Sequence, residues 1–414
     1  MPATSATPVT SFPKDKIKVV LLENIHPTAV EIFSTEHFQV ESLKPALQGD
    51  ELAEKIADAH ILGIRSKTHV TADVLSHARR LLSIGAFCIG TNQIDLEAAN
   101  LKGIPVFNAP FSNTRSVAEL VIGEIIMLAR RIPDRSRETH AGNWTKTAQD
   151  SHEIRGKTLG IVGYGHIGSQ VGVLAEAMGM RVVYHDVMTR LPLGNTRPVD
   201  SLEQLLRISD FVTLHVPATA QTHMMIGPEQ LAMMKQGSYL LNLSRGTVVD
   251  LPALADALRR KVLAGAAVDV YPQEPAANGP GFQTELQGLQ NVILTPHVGG
   301  STVEAQANIG REVAHALVKF INNGTTTGAV NFPQVELPTA PGTHRILNVH
   351  KNVPGVLRDI NRIVSDLHAN IERQYLSTDA NIGYLVMDLG ADVSQDVRKA
   401  VSALDANIRT RILF

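Results

Sequence analysis

Residues 159–186 read LGIVGYGHIGSQVGVLAEAMGMRVVYHD, and this stretch decides the fold of the chain around it. An apolar run enters a turn with Gly163, Gly165 and Gly168, a helix-like segment follows, and a second apolar run ends at Asp186. In such a turn the first glycine permits the bend, the second lets backbone approach a pyrophosphate, and the third lets helix and strand pack closely. The order strand, glycine turn, helix, strand and acid therefore predicts a dinucleotide-binding βαβ unit.

Asp186 predicts which dinucleotide is bound. It stands eighteen residues after Gly168, where an acid at the end of the second strand accepts hydrogen bonds from a ribose diol. A 2′-phosphate would be repelled by the carboxylate, so the cofactor expected is NAD.

Composition excludes several classes of protein. The chain has 414 residues, enough for two or three domains, and its formal net charge of -2 provides no bulk attraction to nucleic acid or membrane. Cys88 is the only cysteine, so no intrachain disulfide can form, and its apolar neighbours favour a buried small side chain over a nucleophile. No apolar run approaches the roughly 20 residues of a membrane span. A cytoplasmic protein is expected, with residues 1–16 as a flexible tail.

Strand-like and helix-like segments alternate on both sides of the glycine turn. This alternation occupies residues 17–112, which contain no glycine fingerprint. It continues through residues 113–300, which contain the glycine turn. The helix-like segment from residue 301 is long enough to return to the first region. We therefore expect an α/β fold in which a Rossmann NAD-binding domain (113–300) is inserted in a flavodoxin-like substrate domain (17–112 and 301–335).

The C-terminal region has a different element order. Residues 336–343 are proline-rich and predict a linker, and 344–414 predict the order βαββαβ, which is a ferredoxin-like domain. No chemistry is evident in it from composition alone.

Three residues at strand ends or in loops could carry out the chemistry of a 2-hydroxy acid. Arg245 can bind a carboxylate bidentately, and His297 can exchange a proton with the alcohol. Glu274 can orient the imidazole and favour its protonated form. A histidine before Gly-Gly is by itself more often structural, and Asp269 is either a structural acid at a strand end or a ligand of the cofactor. In the first region, Arg65 beside Ser66 is either an anion anchor or a solvated surface arginine.

These motifs together resemble the D-isomer-specific 2-hydroxyacid dehydrogenases. The likeness covers roughly residues 17–335 and rests on the glycine turn, Asp186 and the runs 242–246, 271–275 and 295–302. It implies that Arg245 holds the substrate carboxylate, His297 is the general acid and base, and Glu274 supports His297. It also implies a set of contacts to NAD: Gly163, Gly165, His166, Ile167, Gly168, Asp186, His215, Val216, Pro217, Leu243, Ser244, Asp269, Gly299 and Gly300.

The runs 87–92 and 108–119 resemble the branch of that family whose substrate is 3-phospho-D-glycerate, and residues 344–414 resemble an ACT domain. The resemblance implies a substrate site with Arg65, Ser66, Asn113 and Lys146, the last reaching a neighbouring subunit beside Trp144. It implies L-serine as an effector bound by His350, Asn352 and Asn370, although His350 alone would be read as a solvated loop histidine. A homotetramer and no metal are expected, and reduction of 2-oxoglutarate is a side reaction to consider.

Two alternatives remain at this point. One is a family member acting on lactate, glycerate or formate, which an ACT domain disfavours. The other is an NAD-sensing, corepressor-like binding protein built on the same scaffold, for which no basic or partner-binding extension is visible.

Overall fold

A computed structural model describes residues 11–275, 278–338, 342–390 and 393–414 of the chain. It forms two compact units: unit 1 combines the residues up to Ser112 with Gln306–Phe414, and unit 2 is Asn113–Ala305. The chain thus passes between the units twice. Among the described residues, no helix has both the length and the apolar character needed to cross a bilayer.

Unit 2 is built on a seven-stranded parallel sheet. Its strands are β6 (Thr158–Val162), β7 (Arg181–His185), β8 (Arg197–Pro198), β9 (Phe211–Leu214), β10 (Ser238–Asn242), β11 (Leu263–Val268) and β12 (Val292–Leu294). Their order, β12-β11-β10-β9-β6-β7-β8, is the doubly wound Rossmann order extended by one strand. This confirms the fold class expected from the glycine turn.

Helices cover both faces of this sheet: α5 (Thr114–Ala129), α6 (Ile132–His140), α7 (His166–Ala177), α8 (Leu202–Ile208), α9 (Pro228–Met233) and α10 (Leu251–Arg259). On one face, α5 and α7 pack Val117, Val121 and Val171 against the strands. On the other face, α8, α9 and α10 bury leucines such as Leu205, Leu231 and Leu254. The strands are buried on both sides, as a parallel sheet requires.

Unit 1 contains a five-stranded parallel sheet of β1 (Lys18–Leu21), β2 (Gln39–Ser42), β3 (Ile61–Ile64), β4 (Ser83–Ala86) and β5 (Val106–Phe107). Its order is β2-β1-β3-β4-β5, the flavodoxin-like order, as expected. Its helices are α1 (Pro27–Thr35), α2 (Gly49–Ile56), α3 (Ala72–Ser76), α4 (Leu96–Leu101) and the long α11 (Val303–Asn323). Val313 and Leu317 of α11 lie so close to Gly85 of β4 that a Cβ there would overlap both.

The C-terminal segment forms an antiparallel four-stranded sheet with two helices on one face. The strands are β13 (Thr343–Lys351), β14 (Ile371–Thr378), β15 (Ile382–Gly390) and β16 (Asn407–Leu413), and the helices are α12 (Val356–Asp366) and α13 (Ser394–Ser402). The sheet order β14-β15-β13-β16 is ferredoxin-like, which also confirms the expectation.

This C-terminal sheet packs within unit 1. Its second face contributes Leu347, Val349 and Tyr384 to the apolar cluster that contains α11 and β1. The hydroxyl of Tyr384 donates to the carbonyl of Gly324 at 2.6 Å. The segment therefore has a core of its own under its helices and a second core shared with the first sheet.

Arg345 ties the start of β13 to the chain that leads into it. Its guanidinium forms two hydrogen bonds to the carboxylate of Asp388, at 2.7 and 2.9 Å. It also donates to the carbonyls of Asn323, Leu337 and Pro338. The side chains of Arg345 and Asp388 are 5% and 0% exposed, so every charge-bearing atom of this pair is compensated inside the protein.

Two elements, β2 and α6, are formed by polar residues, and part of the expected flexible tail has defined contacts. The polar strand β2 lacks an apolar run and is held at the sheet edge by parallel pairing with β1. The polar residues after 131 form helix α6, of which only Asp134 is buried. Of the expected tail, residues 1–10 lie outside the described residues, whereas Ser11 N–H donates to the carbonyl of Phe414 and Lys14 pairs with Glu36.

Replacing Asp388 by alanine should lower the free energy of unfolding by about 3–5 kcal/mol, because it leaves the guanidinium of Arg345 buried without its counter-ion. Chemical denaturation measures this loss. The matched control is Asp256→Ala, which breaks an exposed pair with Arg260 and should cost about 1 kcal/mol or less. An equal loss of unfolding free energy in the two variants would show that the buried pair of Arg345 and Asp388 stabilises the protein no more than the exposed pair.

Candidate active site

The glycine turn between β6 and α7 has the geometry of a phosphate cradle. Gly163 has a φ of 91°, and a Cβ there would lie 2.6 Å from the carbonyl oxygen of His215. A Cβ on Gly168 would lie 2.2 Å from the carbonyl oxygen of Gly163. In contrast, a Cβ on Gly165 would meet no atom within 4 Å. The position predicted for close approach of a pyrophosphate is therefore open, and the N-terminus of α7, beginning at His166, adjoins it.

Asp186 follows β7 at the same edge of the sheet. Its carboxylate accepts the backbone N–H of Tyr164 in the glycine turn and the N–H of Met188, both at 2.8 Å. Asp186 thereby links the ends of β6 and β7. The Nε of Arg190 lies 3.6 Å from its Oδ2. Each carboxylate oxygen of Asp186 can accept a further hydrogen bond, so both remain able to bind a ribose hydroxyl as predicted.

The other residues predicted for the cofactor lie at the ends of neighbouring strands. His215, Val216 and Pro217 follow β9, and Leu243 and Ser244 follow β10. Burial lowers the pKa of His215 to about 3, so this imidazole is neutral at physiological pH. Its Nε2 lies 3.0 Å from the hydroxyl of Thr213, and its Nδ1 has no partner in the described part of the chain.

His297 and Glu274 form a hydrogen-bonded pair after β12 and β11. The Nδ1 of His297 lies 2.8 and 3.0 Å from the two carboxylate oxygens of Glu274. Both side chains are partly exposed. With its proton on Nδ1 and directed at the carboxylate, the imidazole keeps Nε2 available to accept or return a second proton.

Asp269 holds the backbone that carries His297. Its buried carboxylate accepts the N–H groups of Val298 and Gly299, each at 2.8 Å, and the hydroxyl of Thr295 at 2.6 Å. The N–H of His297 donates to the carbonyl of Asp269 at 2.8 Å, and His297 has a φ of 55°. A left-handed backbone costs a non-glycine residue free energy, which these four hydrogen bonds offset. Within this unit the acid supports the loop, and its contact with the cofactor stays a prediction.

Arg245 follows β10, next to β11 in the sheet. The buried side chain of Asn242 accepts from both the N–H and the hydroxyl of Ser244 and donates to the carbonyl of Arg245. A Cβ on Gly246 would lie 2.0 Å from the backbone of Tyr271, so the loop of Arg245 packs directly on the loop that leads to Glu274. Unit 2 thus brings the loops of Arg245, Glu274 and His297 together at the carboxyl ends of adjacent strands.

Asn113 and Lys146 were predicted for the substrate side. The buried amide of Asn113 packs against Gly300, where a Cβ would lie 2.2 Å from its Nδ2. Lys146 lies in an exposed loop without an ion pair among the described residues, two positions after Trp144. The indole of Trp144 is 85% exposed. Asn113 therefore packs on the loop that carries His297. Lys146, in contrast, forms no ion pair with a described residue of unit 2.

Arg65 and Ser66 follow β3 in unit 1, in a loop organised by Glu23. The carboxylate of Glu23 accepts the N–H groups of Arg65, Lys67 and Thr68 at 2.9 to 3.0 Å. Gln93 donates to the carbonyl of Arg65 at 2.7 Å. The backbone is therefore fixed, while the guanidinium of Arg65 forms no ion pair within the described part of its unit.

In the C-terminal domain the residues predicted for an effector differ in their surroundings. His350 is buried, its Nδ1 lies 2.8 Å from Oδ1 of Asn348, and burial lowers its pKa. The exposed Asn352 donates to the carbonyl of Asp379 at 2.7 Å. Asn370 is exposed and immediately precedes the edge strand β14. The single chain joins no two of these three side chains by a hydrogen bond.

Sequence reasoning assigned no role to Glu23, Asn242 or Glu124. Both carboxylate oxygens of Glu124 are buried in unit 2 without a partner among the described residues. Burial, with a smaller effect of Asp269, raises its pKa to about 8, so this carboxyl is mostly protonated at neutral pH. The spacing of the sequence does indicate that Glu124 is buried, since it lies three residues after Val121 and four before Leu128 on the apolar face of α5.

Comparisons with known proteins agree with this geometry. Residues 122–299 match the model of the D-isomer specific 2-hydroxyacid dehydrogenase NAD binding domain, and residues 346–410 match the AHAS small subunit-like ACT domain. The chain is 57% identical to D-3-phosphoglycerate dehydrogenase of Dictyostelium discoideum, over 98% of this chain and 100% of the relative. It is 52% identical to the enzyme of that name from Escherichia coli K12, over 98% and 99% of the two chains. A D-lactate dehydrogenase from Aquifex aeolicus, solved with NAD and lactic acid, superposes with a TM-score of 0.63 at 29% identity, covering 73% of this chain and 95% of the other.

Two glycine substitutions separate folding from cofactor binding. Gly168→Ala should destabilise the protein by about 1–3 kcal/mol, because its Cβ overlaps the carbonyl of Gly163. Gly165→Ala should leave stability within about 0.5 kcal/mol but weaken NADH about tenfold or more, which is about 1.4 kcal/mol. Thermal unfolding and fluorescence titration with NADH measure the two effects. A Gly165→Ala variant that binds NADH normally would show that no pyrophosphate approaches this position.

Proposed function

Because the chain belongs to the D-isomer specific 2-hydroxyacid dehydrogenase family, we propose that it oxidises 3-phospho-D-glycerate at C2 to 3-phosphohydroxypyruvate, the first step of L-serine biosynthesis. The chain is an NAD-dependent oxidoreductase of that family. The observation that carries the choice of substrate is the identity of 57% and 52% to two D-3-phosphoglycerate dehydrogenases, which extends through the C-terminal domain.

The residues of unit 2 fit NAD. Gly165 leaves open space beside the N-terminus of α7, and Asp186 stands where a 2′-phosphate would meet a carboxylate. When bound, the nicotinamide supplies the hydride acceptor, and the protein positions the substrate and handles its proton.

In this proposal His297 accepts the proton of the C2 hydroxyl at Nε2 during oxidation and returns it during reduction. Glu274 stabilises the imidazolium that forms, since its carboxylate lies within 2.8 to 3.0 Å of Nδ1. Arg245 binds the substrate carboxylate as a bidentate partner. Asp269 acts through the loop that it holds and keeps His297 in its left-handed conformation.

We assign the phosphate of the substrate to Arg65 and Ser66. The support is that Glu23 fixes the loop backbone while the guanidinium of Arg65 has no ion pair within the described part of unit 1. A second carboxylate could take the place of the phosphate, so 2-oxoglutarate is proposed as a side substrate. Asn113 completes the substrate side, and residues 17–112 with 301–335 serve as the substrate domain.

We further propose that the active protein is a homotetramer in the cytoplasm. Two surface features support association: the nearly bare indole of Trp144 beside Lys146, and the unpaired outer edge of β14. Lys146 would then reach the substrate of a neighbouring copy. Pairing of C-terminal domains along β14 would bring Asn370 of one copy towards His350 and Asn352 of another, where L-serine binds and inhibits.

A lactate, glycerate or formate dehydrogenase is the second enzyme considered. The lactate dehydrogenase from Aquifex aeolicus covers only 73% of this chain, whereas both phosphoglycerate dehydrogenases cover 98%. The full-length identity favours the phosphorylated substrate.

The central test follows reduction of NAD by 3-phosphoglycerate, with D-lactate and D-glycerate as comparators. We expect preference for 3-phosphoglycerate. His297→Ala should lower kcat by about 10²- to 10⁴-fold and leave NADH affinity unchanged, whereas His315→Ala, an exposed histidine on α11, should match the wild type. Preference for D-lactate would refute the proposed substrate, and loss of NADH binding in His297→Ala would refute the proton-transfer role.

Arg65→Ala tests the phosphate site. It should raise KM for 3-phosphoglycerate about 10- to 100-fold, since it removes a charge-assisted pair, and leave KM for D-glycerate nearly unchanged. Turnover of 2-oxoglutarate should fall in parallel with that of the phosphorylated substrate. Lys319→Ala on α11 is the control. If KM for both glycerates rises equally, Arg65 does not bind the phosphate.

L-serine at millimolar concentration should inhibit the wild type, and the double variant Asn352→Ala, Asn370→Ala should escape inhibition because two amide partners of the ligand are lost. Gln395→Ala, an exposed amide on α13, should remain sensitive. Initial rates at fixed substrate measure this. Full inhibition of the double variant would place the effector elsewhere.

A further inference from the structure

Unit 1 contains a cavity of about 710 Å³ that takes no part in the proposed reaction. One wall comes from residues 11–17 and the approach to β4, with Ile17 and Leu82. The opposite wall comes from the end of α11 and from β16, with Ile321 and Ile412. The cavity therefore lies between the first sheet and the C-terminal sheet, which share a core in this unit.

The charged side chains that line this cavity are of mostly one sign. Among the described residues of the lining, five are cationic and Asp388 alone is acidic; the cations are Lys14, Arg80, Arg345, Arg398 and Arg411. Asp388 forms the buried ion pair with Arg345 described above, and Lys14 forms an ion pair with Glu36. Three arginines form no ion pair with a carboxylate among the described residues: Arg80, Arg398 and Arg411. Asp58 interacts with Arg80 only through the longer-range attraction of their charges.

Arg411 is the innermost of the three. One of its terminal nitrogens donates to the carbonyl of Ile321 at 3.0 Å, and the guanidinium lies 5.3 Å from the ring centroid of Phe320. The other terminal nitrogen is buried without a partner. Burial lowers the pKa of Arg411 to about 10, so it still carries its charge at neutral pH. A buried donor on a charged group favours an anionic acceptor beside it.

The rest of the lining is aromatic or neutral. His60 lies 5.6 Å from the ring of Phe12, and burial together with the charge of Arg80 lowers the pKa of His60. It therefore adds no charge at neutral pH. The ring of Phe414 stacks on His344 at 4.1 Å, and the rings of Phe12 and Phe414 are both partly exposed.

The described residues that line the cavity offer these three arginines no acid beyond Asp388, which is paired with Arg345. A carboxylate on Phe414 would offset one of the three charges and leave two. A phosphate monoester carries close to two negative charges at neutral pH and accepts bidentate hydrogen bonds from arginine.

We propose that this cavity binds a small aromatic phosphate monoester, with the phosphate held by Arg80, Arg398 and Arg411 and the ring placed among the apolar side chains. A volume of about 710 Å³ is sufficient for such a ligand. Arg80 belongs to the first sheet region, whereas Arg398 and Arg411 belong to α13 and β16. The ligand therefore links the two sheets and raises the stability of unit 1.

Isothermal titration calorimetry with phenyl phosphate tests the site, using the intact protein and the double variant Arg80→Gln, Arg398→Gln. Both arginines are exposed and lack ion pairs among the described residues, so the variant should fold normally. We expect its affinity for phenyl phosphate to fall about tenfold or more. The ligand should raise the unfolding temperature of the wild type and not that of the variant.

The matched control is Arg79→Gln, Lys399→Gln, which removes the same two charges at adjacent positions outside the cavity. It should bind like the wild type, as should Arg65→Gln, which alters the proposed substrate phosphate site instead. Inorganic phosphate should bind more weakly than phenyl phosphate, because it lacks the ring. Unchanged binding by the Arg80, Arg398 variant, or loss of binding in Arg65→Gln alone, would overturn the proposal. Absence of any binding to the wild type would do the same.

Discussion

The carboxylate of Asp269 is the constraint on which the candidate active site depends. It directly follows β11 and accepts two backbone N–H groups and a hydroxyl from the segment after β12. The backbone carbonyl of Asp269 accepts the N–H of His297. These bonds hold His297 at a positive φ, and from that backbone its imidazole lies 2.8 Å from the carboxylate of Glu274. A buried acid that binds no substrate in the proposed mechanism thus determines where the reacting base stands.

Unit 1 repeats this arrangement with a different acid. Glu23, two residues after β1, accepts three backbone N–H groups of the loop that carries Arg65. In both units a buried carboxylate accepts hydrogen bonds from the backbone of a strand-end loop, and that loop carries a side chain that we propose to react or to bind substrate. Parallel sheets make such arrangements possible because their strand ends converge at one edge.

The C-terminal domain is joined to the first sheet through polar and apolar contacts together. Arg345 and Asp388 neutralise each other while Arg345 also holds three carbonyls of the connecting chain. Leu347, Val349 and Tyr384 extend the core of the first sheet. A domain that its sequence marks as separate is therefore physically part of unit 1, and the cationic cavity arises where the two sheets meet.

The amino-acid sequence by itself determined the fold class and the cofactor, and it supplied the residues that we propose to react. Local spacing is sufficient for these, because a glycine turn, a strand-end acid and an alternation of apolar runs act over short distances along the chain. Tertiary structure decided the rest: the hydrogen bonds of Asp269 and Glu23, the burial that raises the pKa of Glu124 and leaves it without a partner among the described residues, and the shared core of the C-terminal sheet. Each of these depends on groups that are far apart in the sequence and meet in the protein interior. There, desolvation makes an unsatisfied polar group costly and strengthens each hydrogen bond that is formed.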